Sequence, residues 1–577
     1  MARLGGRFVA LLLVAALALV GLSALRVARW HPLPLVGEEP TDGYPRASGV
    51  VHVHTTLSDG GGAPEETIRA ARATGLTFLA LTDHNHLDAK PLEGYREGVL
   101  VLVGSELSTT SGHVLGLGLR EDPAFRFSGD ARDVFEDVRD LGGFSFAAHP
   151  TSGRPDLAWT GWELAGPWGI ELLNGDTEFR RAGPRLLLTV GPYRLNPGWA
   201  LLRTLRSPDE ILRRWDEMLA RRDVVGITGA DAHGRVPITK TRALRFPSYQ
   251  ALLSLARNHL LLERPLTGDA AADSQTVLSA LRRGRSYIGL DALAPADGFT
   301  FTVEGGGGRW TMGESVPVVR GLRARIGGRV PKGARIVLRR DGHVLAEATE
   351  RLEIGLPGKA VYRVEVRVPG WPIPWVITNP VYVFTPFELD ARSGAAAFAG
   401  PPPPAREVFP LESLPGTWEF KAEADASSWV DPKVLDSQGG PEGGPAQRLR
   451  FRLGAPDAGR PFTWCALVNR QERGISGHAG MSFRLRADGV YRIWVQVRDR
   501  NPASADEGEE WWLASVRTSP QWREVRLPFD RFRTINKRTD GRLDLDKVQA
   551  LVFVLDHAAD KPGTQGTIWL SDLALYY

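Results

Sequence analysis

Cysteine is nearly missing from this sequence, in which Cys465 is the single one among 577 residues. This scarcity excludes an intramolecular disulfide framework and any zinc site built from several thiolates. An excess of one charge is also missing, because 71 Lys and Arg residues stand against 67 Asp and Glu residues, for a net charge of +4. We therefore expect no general nucleic-acid binding, which requires a pronounced basic surface.

Long hydrophobic runs are scarce too, and the one that is present lies near the N-terminus. Phe8–Leu25 is uncharged and follows Arg3 and Arg7. Its length is just sufficient to cross a bilayer, and the preceding arginines favour an inside position for the N-terminus. We expect residues 1–30 to be a signal-anchor that holds the bulk of the chain on the periplasmic side or cell surface. A removed signal peptide, which would give a secreted protein, and a buried core helix remain as alternatives.

Hydrophobic patterning divides the rest of the chain. Residues 31–45 are rich in Pro and Gly and indicate a tether. Across residues 46–295 short apolar strands alternate with helices, a pattern typical of a parallel α/β sheet or barrel. The remaining segments are predicted as a small β-sandwich-like domain (residues 296–386), a Pro/Ala/Gly linker (387–410) and a second β-rich domain (411–577).

Histidines are concentrated in the α/β segment, where seven of the twelve lie between positions 52 and 233. His52 and His54 form an H-x-H pair after the first predicted strand, and because side chains in a strand alternate, both imidazoles project to the same side. Other histidines and carboxylates follow later strands, and carboxyl ends of strands form the rim where α/β barrels assemble active sites. We predict that the following side chains meet at this rim as metal ligands: His52, His54, Asp59, His84, Glu106, His113, His149, Asp231 and His233.

Each of these elements alone is weak evidence. A single histidine after a strand is usually a hydrogen-bonded structural residue, and Thr82-Asp83-His84 also suits a turn with a helix cap. The metal-site hypothesis rests on the whole series, in which every element lies at a strand end. Paired neutral imidazoles suit Zn, Fe or Mn.

In this order the motifs resemble the PHP (polymerase and histidinol phosphatase) family over about residues 46–295. They read His52-x-His54, Ser58-Asp59-Gly60, Thr82-Asp83-His84, Gly104-x-Glu106, Gly112-His113-x-x-Gly116, Ala148-His149-Pro150 and Asp231-x-His233. The resemblance implies a distorted (β/α)7 barrel that holds two or three divalent metal ions (Zn, Mn or Fe). It further implies one ion on His52, His54, Glu106 and Asp231, a second on Glu106, His113 and His149, and a third on Asp59, His84 and His233. Asp83 would orient a ligand without binding an ion itself.

The family resemblance also implies metal-dependent hydrolysis of phosphate esters, with a metal-bridging hydroxide as the nucleophile. A phosphate clamp is then expected, with Arg154 as the first candidate and Arg235 and Lys240 as others. His86 departs from the common pattern. We consider it as a group that contacts substrate and protonates the leaving group, with a plain surface role as the alternative.

The C-terminal segment is similar to jelly-roll domains of the CIA30 and family-11 carbohydrate-binding type. The likeness lies in Trp522-Arg523-Glu524-Val525, Pro528-Phe529 and the stretch Ile568–Leu573. It implies a β jelly roll and a binding site for a glycan or envelope polymer. Trp494 and one of Trp511 and Trp512 are candidates for stacking on sugar rings, and packing inside the domain is the alternative for them.

Two functions therefore compete. The first is an exported, membrane-tethered metal-dependent phosphoesterase, with phosphomonoester and phosphodiester substrates both open. The second is a non-catalytic, metal-stabilised surface protein that binds glycan or envelope polymer through its β domains. Metal-dependent hydrolysis of another bond, such as an amide, is a third option, because an activated hydroxide does not select phosphorus by itself.

Overall fold

The computed structural model describes residues 18–577 apart from residues 20, 124, 128, 156, 165–167, 184–185, 238, 240–241, 396–407, 411–418, 458, 505–507, 535 and 537. The chain divides into two compact units, made of residues 1–122 with 135–398 and of residues 123–134 with 399–577. Most of Phe8–Leu25 and the proline run Pro401–Pro404 fall outside the described residues. Among the helices that are described, none combines the length and the hydropathy needed to cross a membrane.

A sheet that closes on itself forms the frame of the first unit. Arg46–Val53 pairs in parallel with Phe78–Leu81, which pairs in parallel with Val99–Val103. From the other side of Arg46–Val53 the sheet continues through Val225–Ala232, Gly169–Asn174, Phe144–Ala147, Gly112–Leu117 and Ser105–Thr109. All five residues of Val99–Val103 are buried, as expected for an apolar strand that is covered on both faces.

Helices connect several of these strands, and they begin and end at residues that favour helix ends. Pro64–Ala73 begins with Pro64 and has acidic residues in its first turn, which suits the helix dipole. Ala270–Arg283 ends at Gly284, which takes the left-handed conformation with φ of 67°. Among the described residues, the α-helices include Pro64–Ala73, Ala131–Asp140, Gly175–Arg181, Leu186–Leu195, Pro197–Leu202, Asp209–Leu219, Tyr249–Leu253, Ala270–Arg283 and Pro386–Ala395.

The predicted (β/α)7 alternation is not confirmed, because several neighbouring strands are joined without an α-helix. Phe78–Leu81 and Val99–Val103 are linked by the short 3-10 helix Lys90–Leu92 and the short strand Gly94–Arg96. Ser105–Thr109 and Gly112–Leu117 form an antiparallel hairpin. Antiparallel neighbours need only a tight turn, so no crossover helix is required between them.

Residues 296–386 are β-structured, and the separate β-sandwich-like domain expected for them stays a prediction. Four strands form an antiparallel sheet: Phe299–Gly305, Gly308–Thr311, Arg323–Gly328 and Leu352–Gly355. Val330–Pro331 pairs with Leu35–Val36. The remaining strands extend the closed sheet: Ser315–Pro317, Arg335–Arg340, His343–Thr349, Ala360–Arg367, Val376–Thr378 and Val381–Phe384. The extension begins where Val376–Thr378 pairs with Ser286–Gly289, which in turn pairs with Arg257–Leu261.

The strand Ala360–Arg367 differs from an ordinary amphipathic strand, because the charged residues Arg363 and Glu365 are buried as well as the apolar ones. Arg363 is 2% exposed in its side chain and donates two hydrogen bonds of 2.7 Å to the carboxylate of Asp216. It also donates to Glu365 at 2.9 Å. Burial opposes ionisation of Glu365, but Arg363, Arg339 and Arg367 outweigh it and lower its pKa to about 2. These ion pairs tie the helix Asp209–Leu219 to the β segment.

The second unit is a sandwich of two antiparallel sheets around one apolar core. One sheet contains Val408–Pro410, Trp429–Val430, Leu435–Asp436, Ala446–Arg452, Gly480–Ala487, Arg523–Pro528 and Gln565–Tyr576. The other contains Lys421–Ala424, Trp464–Arg473, Arg492–Arg500, Glu509–Arg517, Arg533–Thr534 and Val548–Asp556. Of the candidate tryptophans, Trp512 is buried in the core, Trp494 packs on a small apolar cluster, and Trp511 lies 4.0 Å from the Arg498 guanidinium.

Replacing Arg363 with Met should destabilise the first unit by about 3 kcal/mol, because removal of one partner of a buried ion pair leaves an uncompensated charge. The measurement is urea unfolding followed by tryptophan fluorescence. Arg335→Met is the matched control, since Arg335 is 60% exposed and its loss should change stability by less than about 0.5 kcal/mol. Equal unfolding midpoints for the two variants would contradict the role given to Arg363.

Candidate metal centre

The closed sheet brings all nine predicted ligands to its carboxyl-end rim. His52 lies in the strand Arg46–Val53, and Glu106 and Asp231 lie in strands of their own. His84 and His149 directly follow strands, and His84 forms an isolated bridge with Glu106. Side chains more than a hundred residues apart in sequence thus meet because parallel strands end on the same side.

The first group consists of His52, His54, Glu106 and Asp231, which are all buried. Glu106 Oε2 lies 3.1 Å from His52 Nε2 and 3.0 Å from His54 Nε2. Asp231 Oδ1 lies 3.5 and 3.4 Å from the same two nitrogens. Atoms that surround a zinc-sized ion tetrahedrally lie about 3.4 Å apart, so these separations fit a shared cation.

Unsatisfied nitrogens support the same interpretation. Within the described part of the chain, His52 Nε2 and both ring nitrogens of His54 are buried without a hydrogen-bond partner. Buried polar atoms of this kind are costly unless a ligand satisfies them. The residues present therefore fit a divalent cation that binds imidazole and carboxylate.

Glu106 faces two groups at once. Its Oε2 points to the first group, whereas its Oε1 lies 2.7 Å from His113 Nδ1 and 2.8 Å from His149 Nε2. Burial opposes its negative charge, but His52 and the hydrogen bonds from His113 and His149 hold the pKa of Glu106 well below its usual range. An ionised carboxylate between two sets of imidazoles suits a bridging ligand.

A further group lies around Asp59, whose Oδ1 is 3.3 Å from His233 Nε2, 3.6 Å from His84 Nε2 and 3.7 Å from His54 Nδ1. His54 therefore faces two groups with its two nitrogens. His84 also lies within reach of Glu106 and His113. The nine residues are brought together, and which ion each of them serves stays a prediction.

Three of these residues hold a backbone conformation that side chains rarely adopt. The φ angles of His52, His149 and Asp231 are 64°, 29° and 48°. Such strain costs about 1–3 kcal/mol per residue and persists where the surrounding structure enforces it. Because this strain occurs at three predicted ligands, we infer that the closed sheet is less stable than it could be and that the strained backbone directs these side chains towards one another.

Glu171 is a buried carboxylate that the sequence-based ligand set omits. Its Oε1 lies 2.7 Å from His52 Nδ1, while its Oε2 accepts hydrogen bonds from the backbone N–H of His149 at 2.6 Å and from Asn174 Nδ2 at 2.9 Å. By accepting the Nδ1 proton it leaves His52 Nε2 free to bind a cation. The available signal was a lone carboxylate inside the apolar strand Gly169–Asn174.

Asp83 lies behind the loop that follows His54, and its expected role of orienting a ligand stays a prediction. It accepts hydrogen bonds of 2.8 Å from both the backbone N–H and the hydroxyl of Thr55, and one of 2.5 Å from Ser58 Oγ. These bonds brace the loop between His54 and Asp59.

A cavity of about 380 Å³ opens over the ligands. Arg154 and Arg235 line it, as does Arg180, which sequence reasoning missed and which pairs with Asp176. Lys240 lies outside the described residues. These three guanidinium groups place positive charge around the opening of the cavity.

His86 is not among the residues that line this cavity. Its Nε2 lies 3.1 Å from the carbonyl oxygen of Leu57, and its Nδ1 accepts the backbone N–H of Asp88 at 3.2 Å. Both ring nitrogens are thus engaged by backbone in this structure, and the acid role of His86 stays a prediction.

Comparison with known proteins gives one curated relative and several solved structures. No family model matches the chain. An uncharacterized protein of Methanocaldococcus jannaschii, MJ1587, is 32% identical over 117 residues, which is 18% of this chain and 67% of that protein.

The solved structures are of two kinds. A two-domain protein of Bacteroides vulgatus containing a predicted PHP-like metal-dependent phosphoesterase is 18% identical and covers 61% of this chain and 99% of its own, with a TM-score of 0.29. A family 11 carbohydrate-binding module of Clostridium thermocellum is 18% identical and covers 29% of this chain and 95% of its own, with a TM-score of 0.24. Both kinds of domain that the sequence resembles are thus represented.

Replacing Glu171 with Gln should weaken metal binding roughly ten- to hundredfold. An amide NH2 group must then face either the Nδ1–H of His52 or the donors of His149 and Asn174, and neither arrangement satisfies all three. Metal affinity is measured by competition with a chromophoric chelator, and metal content by mass spectrometry.

Glu217→Gln is the control for this substitution, since Glu217 is half exposed on the helix Asp209–Leu219. It should bind metal as the unaltered protein does. Unchanged affinity in a folded Glu171→Gln protein would show that Glu171 does not orient His52 for a metal.

Proposed function

We propose that this chain, which belongs to the same family as MJ1587 of Methanocaldococcus jannaschii, is a metal-dependent hydrolase of phosphate esters. The observation that carries the proposal is the position of Glu106. Its two carboxylate oxygens face separate sets of imidazoles at the floor of a cavity that arginines line. This combination offers sites for neighbouring cations and for an anion beside them.

The ligands for two or three ions would be the nine residues of the rim, with Glu106 shared between ions. When bound, divalent ions such as Zn, Mn or Fe supply Lewis acidity, which makes a water nucleophilic at neutral pH and offsets charge on the phosphoryl oxygens. Glu171 and Asp83 keep the ligands oriented. Since the ions would activate water, the chain needs no nucleophilic side chain of its own.

The cavity arginines support an anionic substrate. Guanidinium groups bind phosphate oxygens in a bidentate manner. Arg154, Arg180 and Arg235 lie around the same opening as the ligands, so they would hold the substrate phosphate against the cations. Their number supports phosphate esters over amides, because an amide carries no charge for them to bind.

We further propose that the protein acts outside the cytoplasm, tethered through the run Phe8–Leu25 or secreted if that run is removed. The support is the uncharged length of the run and the arginines that precede it. We also propose that the second unit recognises a glycan or envelope polymer, which the sequence likeness to carbohydrate-binding jelly rolls supports.

The double substitution His52→Ala/His54→Ala should abolish hydrolysis of bis(p-nitrophenyl) phosphate or p-nitrophenyl phosphate, whichever the metal-loaded protein cleaves. The expected loss is at least about a thousandfold, since the metal-activated water is the nucleophile. His343→Ala is the control, because His343 is exposed outside the cavity. Metal binding without turnover on either ester would favour the alternative of a non-catalytic surface protein.

Replacing Arg154 with Gln should lower kcat/KM for the cleaved ester roughly ten- to hundredfold, which corresponds to loss of one hydrogen-bonded contact to a charged group. Metal content should not change, since Arg154 carries no metal-binding atom. Arg213→Gln, on the exposed side of the helix Asp209–Leu219, is the control. A kcat/KM equal to that of the control would remove Arg154 from the phosphate clamp.

A further inference from the structure

The seven-stranded sheet of the second unit has an outward face that combines tryptophan with arginine. Along Ala446–Arg452, Leu449 and Phe451 enter the core, so Arg448, Arg450 and Arg452 project outward. The neighbouring strand places Trp569 beside Arg448 and Gln565 beside Arg452. These residues line a trough of about 830 Å³.

Two indoles lie towards the two ends of this trough. Trp429 pairs with Arg452 and is 49% exposed. Trp569 is held in place by Asp436, which accepts its indole N–H at 2.9 Å. Because Arg448 and Arg452 are four residues apart in one strand, the two indoles are separated by roughly 13 Å along the sheet. This separation is longer than one sugar ring and suits an extended chain of them.

The positive charge of this face is only partly neutralised. Arg448 pairs with Asp431 at 2.8 Å. Among the described residues, Arg450, Arg452 and Arg486 have no carboxylate within ion-pair distance. Arg486 instead lies close to two indoles, 4.4 Å from the centre of the Trp569 ring and 5.4 Å from that of Trp522. Arg450 and Arg452 are therefore the cationic groups of this face that are open to an anionic ligand.

We propose that this trough binds an acidic polysaccharide, whose rings stack on Trp429 and Trp569 and whose carboxylate or phosphate groups pair with Arg450 and Arg452. Indole faces pack against the C–H faces of sugar rings, and the polar groups beside them bind ring substituents. The carboxylates of Asp436 and Asp488 also line the trough. They accept sugar hydroxyls and disfavour the continuous phosphate backbone of a nucleic acid.

This inference deepens the proposal that the second unit recognises a glycan, and it rests on that proposal. It does not rest on hydrolysis, so the two can fail separately. Binding is measured on the full chain by affinity electrophoresis, in the His52→Ala/His54→Ala background as well as in the unaltered protein. The probes are polygalacturonate, its neutral methyl ester, a yeast phosphomannan, and oligo(dT).

The expected result is binding to polygalacturonate or phosphomannan that weakens as salt rises and is equal in the double histidine variant. Trp429→Ala and Arg450→Gln/Arg452→Gln should each weaken it roughly tenfold or more. Phe462→Ala is the matched control, since Phe462 is another exposed aromatic residue of the same unit, at 65% exposure. Polygalacturonate and phosphomannan distinguish a carboxylate ligand from a phosphate ligand.

Three outcomes would overturn the proposal. One is no binding to either acidic polysaccharide. Another is equal binding of the methyl ester, because the arginines would then have no role. The last is binding of oligo(dT) as tight as that of the polysaccharides, which would assign the face to nucleic acid.

Discussion

The buried carboxylate of Glu106 imposes the central constraint on the first unit. A carboxylate removed from water is unstable unless positive charge or hydrogen-bond donors compensate it. Here imidazoles surround both oxygens, with four His nitrogens between 2.7 and 3.1 Å away. The imidazoles of His52, His54 and His149 are buried in turn, and Glu171 accepts a hydrogen bond from His52 on the side away from Glu106. A bound cation would stabilise this cluster more than protonation of the histidines does, because it would coordinate several nitrogens that have no hydrogen-bond partner among the described residues.

The frame that holds this set is ordinary in its core and strained at its rim. Apolar strands such as Phe78–Leu81 are fully buried and supply the stability of the closed sheet. At the strand ends, His52, His149 and Asp231 adopt positive φ angles, and each costs stability. The stability gained from the buried apolar strands must therefore exceed the cost of the strained backbone at the rim. Ion pairs such as that between Arg363 and Asp216 contribute to this by fixing the helix Asp209–Leu219 against the neighbouring sheet.

Local sequence patterns predicted what depends on local physics. Short apolar runs identified the strands, and ligand types at their ends identified His52, Glu106 and Asp231, because strand period and strand direction are readable from sequence. Glu171 was missed because the role of a carboxylate within an apolar strand can be inferred only once its partner, His52, is known. The sequence analysis did not predict the hairpin formed by Ser105–Thr109 and Gly112–Leu117, which interrupts the alternation of strands and helices. The pairing partner of a strand cannot be read from its local sequence. For the same reason Trp494 was considered as a sugar contact, whereas Trp429 became a candidate only when strand register placed it beside Arg452.

The two proposals assign recognition of anions to both units, by different physical means. In the first, cations and guanidinium groups inside a cavity of about 380 Å³ would bind one phosphoryl group closely. In the second, indoles and guanidinium groups along an open trough would make many weak contacts with the repeating units of a polymer. Binding of a polymer by one unit raises the local concentration of its phosphate esters for the other, whatever the arrangement of the two, because both belong to one chain. A substrate that is both a polymer and a phosphate ester would therefore use both units, whereas a small phosphate ester would use only the first.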